Sequence, residues 1–161
     1  MDRMTQKTDK YDILIVDDAR DSLELLNRIL EERGYRVRPA NSGRLALKSV
    51  AARLPDLILL DVKMPEMDGF EVCRRLKADE HSRNVPVIFI SAYGETAGKV
   101  HGFKSGAVDF INEHDIGEQG ARQQFETVAL LVEHVNAGQI RRHHIRSALD
   151  TLEFALEQFG Q

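Results

Sequence analysis

Asp12-Ile-Leu-Ile-Val-Asp-Asp18 decides how this chain is read, and Asp56-Leu-Ile-Leu-Leu-Asp61 repeats its pattern. Each is a short, unbroken aliphatic run that ends in acid. Such runs are expected of central strands in a parallel sheet covered by helices on both faces. Carboxylates at the C-terminal ends of neighbouring parallel strands meet in one crevice, which is where open α/β sheets bind their ligands. Asp17, Asp18 and Asp61 are therefore candidate metal ligands. Three converging oxygen donors suit a hard divalent cation with a phosphoryl group beside it.

Outward from these runs, strand-length apolar segments alternate with segments of helical period. Strands are predicted over 12–16, 35–39, 56–60, 85–90 and 108–111. Helices are predicted over 22–33, 42–53 and 70–78, with a weaker, glycine-containing helical segment over 96–104. Leu23, Leu26, Ile29 and Leu30 share a face of the first helix, and Gly34 stops it. The second is expected to bury Leu45, Ala46, Leu47 and Val50 before Pro55 blocks its continuation. Right-handed crossovers between buried parallel strands then make a doubly wound α/β sheet the natural architecture.

The chain has 161 residues and a net charge of -4. One α/β domain of roughly 100 to 130 residues leaves a C-terminal remainder. The negative charge gives no general attraction to nucleic acid. Basic residues cluster only at Arg141 and Arg142 beside two histidines, so direct DNA binding is not expected. The single cysteine, Cys73, excludes an intramolecular disulfide framework and reads as a small buried hydrophobe. Neither a membrane-spanning run nor the apolar core of a signal peptide is present, so a cytoplasmic protein is expected, with residues 1–10 as a flexible polar tail.

From Tyr11 to Asn112 the chain resembles the receiver domain of two-component response regulators. The resemblance is carried by Asp17-Asp18, by Asp61-Val-Lys-Met-Pro-Glu-Met-Asp-Gly69, by Ser91-Ala-Tyr93 and by Ser105-Gly-Ala-Val-Asp-Phe-Ile111. These four signals come in the family's order, each at a predicted strand end. The resemblance implies a flavodoxin-like, five-stranded parallel sheet of order 2-1-3-4-5 within residues 11–118. It also implies Mg²⁺ held by Asp17, Asp18, Asp61 and the backbone carbonyl of Lys63. Asp61 would accept a phosphoryl group from a histidine kinase or phosphotransfer protein and pass the signal to a downstream protein target. Such a domain is a signalling phosphoacceptor that assists only its own phosphorylation and dephosphorylation. Ser91 would give the phosphoryl group a hydroxyl contact, Ala92 would leave it room, and Phe110 stands at the aromatic switch position. Met64, Pro65 and Gly69 are expected to shape the turn after Asp61, the glycine by adopting backbone conformations that other residues resist.

One position departs from the family. Where a lysine and a proline usually follow the fifth strand, this chain has Glu113 and His114. Turned inward, Glu113 would add a fourth carboxylate and repel phosphate, so it is expected to point outward. A receiver-like docking module that has given up phosphorylation is accordingly the alternative reading. Plainer roles also stand beside the functional ones: one aspartate of the pair could cap the first helix, Ser91 could serve a turn, and Phe110 could be core. Two other enzyme classes fit poorly. A haloacid-dehalogenase-like phosphatase needs an aspartate where Lys63 stands, and a nucleotide-binding domain needs a glycine-rich turn that Asp17-Asp-Ala-Arg-Asp-Ser22 lacks.

Residues 119–161 read as a helical extension. Phe125, Val128, Ala129, Val132 and Val135 recur at helical spacing over 121–137, and Gly138 offers a stop or joint. Ile145, Ala148, Leu149, Leu152, Leu156 and Phe159 form a second stripe, which could pack on the α/β domain or on a second chain. A two-fold helical interface is the expectation. The segment His143-His-Ile-Arg-Ser-Ala-Leu149 is similar to the phosphoacceptor box of histidine kinases, but its acidic residue and proline are replaced. Histidines on a polar helix face are the ordinary explanation.

Overall fold

The computed structural model describes residues 11–91, 109–112, 129, 132 and 133, at 91 and 109–112 through the backbone alone. In chain order the elements are β1 (Asp12–Val16), α1 (Arg20–Glu32), β2 (Arg36–Ala40), α2 (Gly43–Ala52), β3 (Leu57–Asp61), α3 (Gly69–Ala78), β4 (Val87–Ser91) and β5 (Asp109–Asn112). The strands form one parallel sheet of order β2-β1-β3-β4-β5, as the resemblance implies.

Alternation of side chains explains why the central strands are apolar over residues 13–16, 57–60 and 87–90. Ile13, Ile15, Leu57, Leu59 and Ile88 pack on one face of the sheet against Leu26, Ile29 and Leu30 of α1. Their strand neighbours Leu14, Val16, Ile58, Leu60, Val87 and Phe89 pack on the other face with Ala46 and Val50 of α2 and with Val72, Cys73 and Leu76 of α3. Two cores need two apolar faces, so polar residues of β1 and β3 are confined to the strand ends, Asp12 and Asp61. Full burial of each such side chain contributes about 1.5–3 kcal/mol.

Element ends move by one or two residues from their expected places, and two of the shifts have clear causes. α1 begins at Arg20, and its N-cap is Ala19, with no side-chain cap. Asp17 instead accepts the Ala19 N–H through Oδ1 at 2.8 Å. The second case is Leu45, expected inside but 43% exposed. Ser42 caps α2 by accepting the Leu45 N–H, and from that start Ala46 and Val50 take the inward face.

At the N-terminal end of the sheet lies a polar cluster that the sequence does not announce. Asp12 is buried, and its carboxylate accepts from Arg38 Nε at 3.0 Å and from Arg53 at 2.5 Å. Arg38 also donates to the Ser49 hydroxyl and to the backbone oxygens of Ser49 and Arg53, while Asp56 accepts the Asp12 N–H. This tie joins β1, β2 and the end of α2.

Residues 129, 132 and 133 are helical. Ala129 and Val132 are fully buried in the same cluster as α1, and Glu133 accepts from Arg33 at 2.8 Å. The expected tail at 1–10, the weak helix over 96–104, Ala92, Glu113, His114, the remainder of 121–137, the second apolar stripe and His143 lie outside the described residues.

Candidate metal centre at the carboxyl end of the sheet

Parallel pairing of β1 with β3 sets Val16 opposite Leu60, so Asp17 and Asp61 leave their strands at one level. The Asp17 N–H donates to the Ala40 oxygen of β2 at 3.1 Å, which fixes where β1 ends. One oxygen from each of Asp17, Asp18 and Asp61 lies within 4.8 Å of the others. Asp17 and Asp61 are half-buried, and Asp18 is exposed.

Three carboxylates this close carry unfavourable charge. Burial, and then the charges of Asp17 and Asp18, push the Asp61 carboxyl up to about 7, against the opposing pull of the Val62 and Lys63 backbone N–H groups. Burial also raises Asp17, with Asp18 adding to it, while the Ala19 N–H and a hydrogen bond with Asp61 act the other way. An all-oxygen donor set with this spacing and this surplus of negative charge fits a hard divalent cation.

The loop from Val62 to Asp68 holds the carboxyl end of β3 to the start of α3. Gly69 donates its N–H to Val62 at 2.8 Å, and Asp68 caps α3 by accepting the Glu71 N–H at 2.8 Å. The spacing Asp68-x-x-Glu71 was a readable capping signal. Between them the Met67 N–H donates to Pro65 at 2.8 Å across Glu66, whose φ is +66°. That is the rarer, strained hand of γ-turn. Gly69 is needed for a reason other than the expected one, since its φ is not positive. A Cβ there would lie 2.1 Å from the Asp61 backbone oxygen, so the requirement is room.

The other expected residues fall at the same end or beyond the described residues. Ile90 is in register with Asp61, so Ser91 stands one residue further along β4, opposite Asn112 of β5. Phe110 lies in β5, in register with Phe89. Lys63 is exposed, within the loop that follows Asp61.

The profile described as the response regulator receiver domain matches residues 13–114. The chain is 46% identical over 101 residues to the response regulator PleD of Caulobacter vibrioides, covering 63% of this chain and 22% of that protein. It is 41% identical over 112 residues to the DNA-binding dual master transcriptional regulator RpaA of a Synechocystis strain, covering 68% of this chain and 46% of that protein. Among solved structures, the signal receiver domain of a signal transduction histidine kinase from Syntrophus aciditrophicus superposes with a TM-score of 0.67 at 35% identity, covering 81% of this chain and 92% of that one. The chain therefore spans less than half the length of these two curated relatives.

Proposed function

The chain belongs to the response regulator receiver family, and on that premise we propose that it accepts a phosphoryl group on Asp61 from a histidine kinase or phosphotransfer protein. The observation that carries the proposal is the meeting of Asp17, Asp18 and Asp61 within 4.8 Å around a half-buried carboxyl at the end of β3. An oxygen of Asp61 forms the new bond to phosphorus as the donor's P–N bond breaks, and the electron pair leaves with the imidazole. The backbone N–H groups of Val62 and Lys63 favour the ionised form of the Asp61 carboxyl, the form that attacks phosphorus. Asp17, Asp18, Asp61 and the Lys63 carbonyl would hold Mg²⁺, which would supply charge compensation for the phosphoryl oxygens.

Ser91 is assigned the hydroxyl contact to the phosphoryl group and Phe110 the aromatic switch. Glu113 stands where the family has a cation, so in this chain charge compensation rests more heavily on the metal. Phosphorylation shifts a pre-existing equilibrium between two conformations, and the signal passes to a protein target in the cytoplasm. A net charge of -4 argues against DNA as that target. The helical extension is assigned to self-association or docking.

Incubation with Mg²⁺ and acetyl phosphate, followed by intact mass measurement, tests this reading. One added phosphoryl group is expected, absent in Asp61→Ala. An unchanged mass in the unsubstituted protein, with Mg²⁺ binding confirmed, would favour a phosphorylation-independent docking module.

A further inference from the structure

The first turn of α2 packs on Val72 of α3 and on Met67, and of these two side chains Met67 belongs to the loop that follows the acidic centre. Gly43 opens α2, and a Cβ built there would lie 2.6 Å from Val72 Cγ2, 3.2 Å from Met67 Sδ and 3.3 Å from Met67 Cβ. Met67 thus rests directly on the Gly43 backbone, wedged beside α3. Its own backbone belongs to the loop that begins at Asp61. That loop is short of slack. Its two ends are tied together, since Gly69 abuts the Asp61 oxygen and donates to Val62. Within it, Glu66 is held at a φ of +66°, a conformation that costs a non-glycine residue on the order of 1 kcal/mol or more. A displacement of Val62 and Lys63 therefore has little freedom to be absorbed before it reaches Met67.

We propose that the β3–α3 loop links the acidic centre to the N-terminal turn of α2 through Met67, so that occupation of the centre is registered at Gly43–Leu45. This rests on the metal-binding reading above and names a route by which the site is coupled to a surface, one that ends at the exposed side chain of Leu45. Dense packing transmits small shifts because it has no voids to take them up.

Titration of the full chain with Mg²⁺, followed by backbone amide NMR, tests it. Amides of Val62 and Lys63 report binding, and those of Gly43 to Leu45 report the link. Both sets are expected to shift and to saturate together. In Met67→Ala the Val62 and Lys63 shifts persist with Mg²⁺ affinity within about threefold of the parent, while the α2 shifts fall at least threefold. Glu66→Gly, which relaxes the loop without removing the wedge, is expected to weaken the α2 response in the same direction. Shifts at Val62 and Lys63 with none at α2, or an α2 response unchanged in Met67→Ala, overturn the link and leave the metal site standing. No response at Val62 and Lys63 removes the metal site and the link together.

Discussion

Gly69 lies so close to Asp61 that a Cβ on the glycine would sit 2.1 Å from the aspartate's backbone oxygen. The first residue of α3 and the last residue of β3 are in contact through main chain alone, and the loop between them has no room to shift outward without breaking the Gly69–Val62 hydrogen bond. Gly69→Ala is expected to lose about 3 kcal/mol of stability, the upper range for overpacking. Because the strain falls on the Asp61 backbone, Mg²⁺ affinity should fall at least tenfold in the fraction that remains folded. Urea unfolding and calorimetric titration measure the two effects separately.

The metal-free centre makes a signed prediction for pH. Asp61 binds its proton more tightly folded than unfolded, being raised from 3.8 to about 7. Its contribution to stability is therefore fully present below the unfolded value and is lost as pH rises through about 7. Asp17, also raised, acts in the same direction. In EDTA the urea midpoint is expected to drop between about pH 4 and about pH 7 and to level off above that, to drop less in Asp61→Asn, and to be restored at neutral pH by Mg²⁺.

At the opposite end of the sheet, Asp12 holds two arginines with a side chain that is 9% exposed. Asp12→Ala leaves Arg38 half-enclosed without its carboxylate and should cost about 3 kcal/mol, near the range for breaking a buried pair. Mg²⁺ affinity should change little, since the two clusters sit at opposite ends of β1. A chemical denaturation curve beside a metal titration checks both statements.

Glu66 gives a test of backbone strain. At a φ of +66° glycine is unstrained and a β-branched residue is heavily strained. The expected order of stability is Glu66→Gly above the parent, by about 0.5–1 kcal/mol, and Glu66→Ile below it by about 1–2 kcal/mol. Thermal melts of the three proteins at one pH show the order directly.

Ala129 and Val132 close the core over α1, so a chain ended at residue 118 should bare Leu26, Ile29 and Leu30. Such a truncation is expected to bind a hydrophobic dye and to lose cooperative unfolding. Arg33→Ala, by contrast, should cost under about 1 kcal/mol, because its pair with Glu133 is half exposed at 2.8 Å.

The fold and the acidic centre were legible because both are written in local pattern. A strand buried on two faces must be apolar at every position, so Ile13 to Val16 and Leu57 to Leu60 declare the parallel sheet, and the first polar residue after each run marks its open end. Asp68 could be read as a cap from its spacing to Glu71. Leu45 could not be placed, because helical period alone does not say which of two adjacent apolar stripes turns inward; the cap at Ser42 and the packing of Ala46 decide that.

By itself, then, the sequence determined the α/β class, the strand order through family resemblance, and the identity of the three carboxylates. Tertiary structure alone decided how those carboxyls behave and what the loop around them can do. The Asp61 carboxyl is raised first because the folded crevice at the end of β3 partly desolvates it, and then because the register of β1 with β3 brings the charges of Asp17 and Asp18 beside it. Gly69 is required only because the start of α3 is drawn against the Asp61 oxygen. Arg38 and Arg53 meet on Asp12 only once β2 and α2 are folded over β1. Each of these depends on distances between residues remote along the chain, and a linear pattern holds no record of such distances.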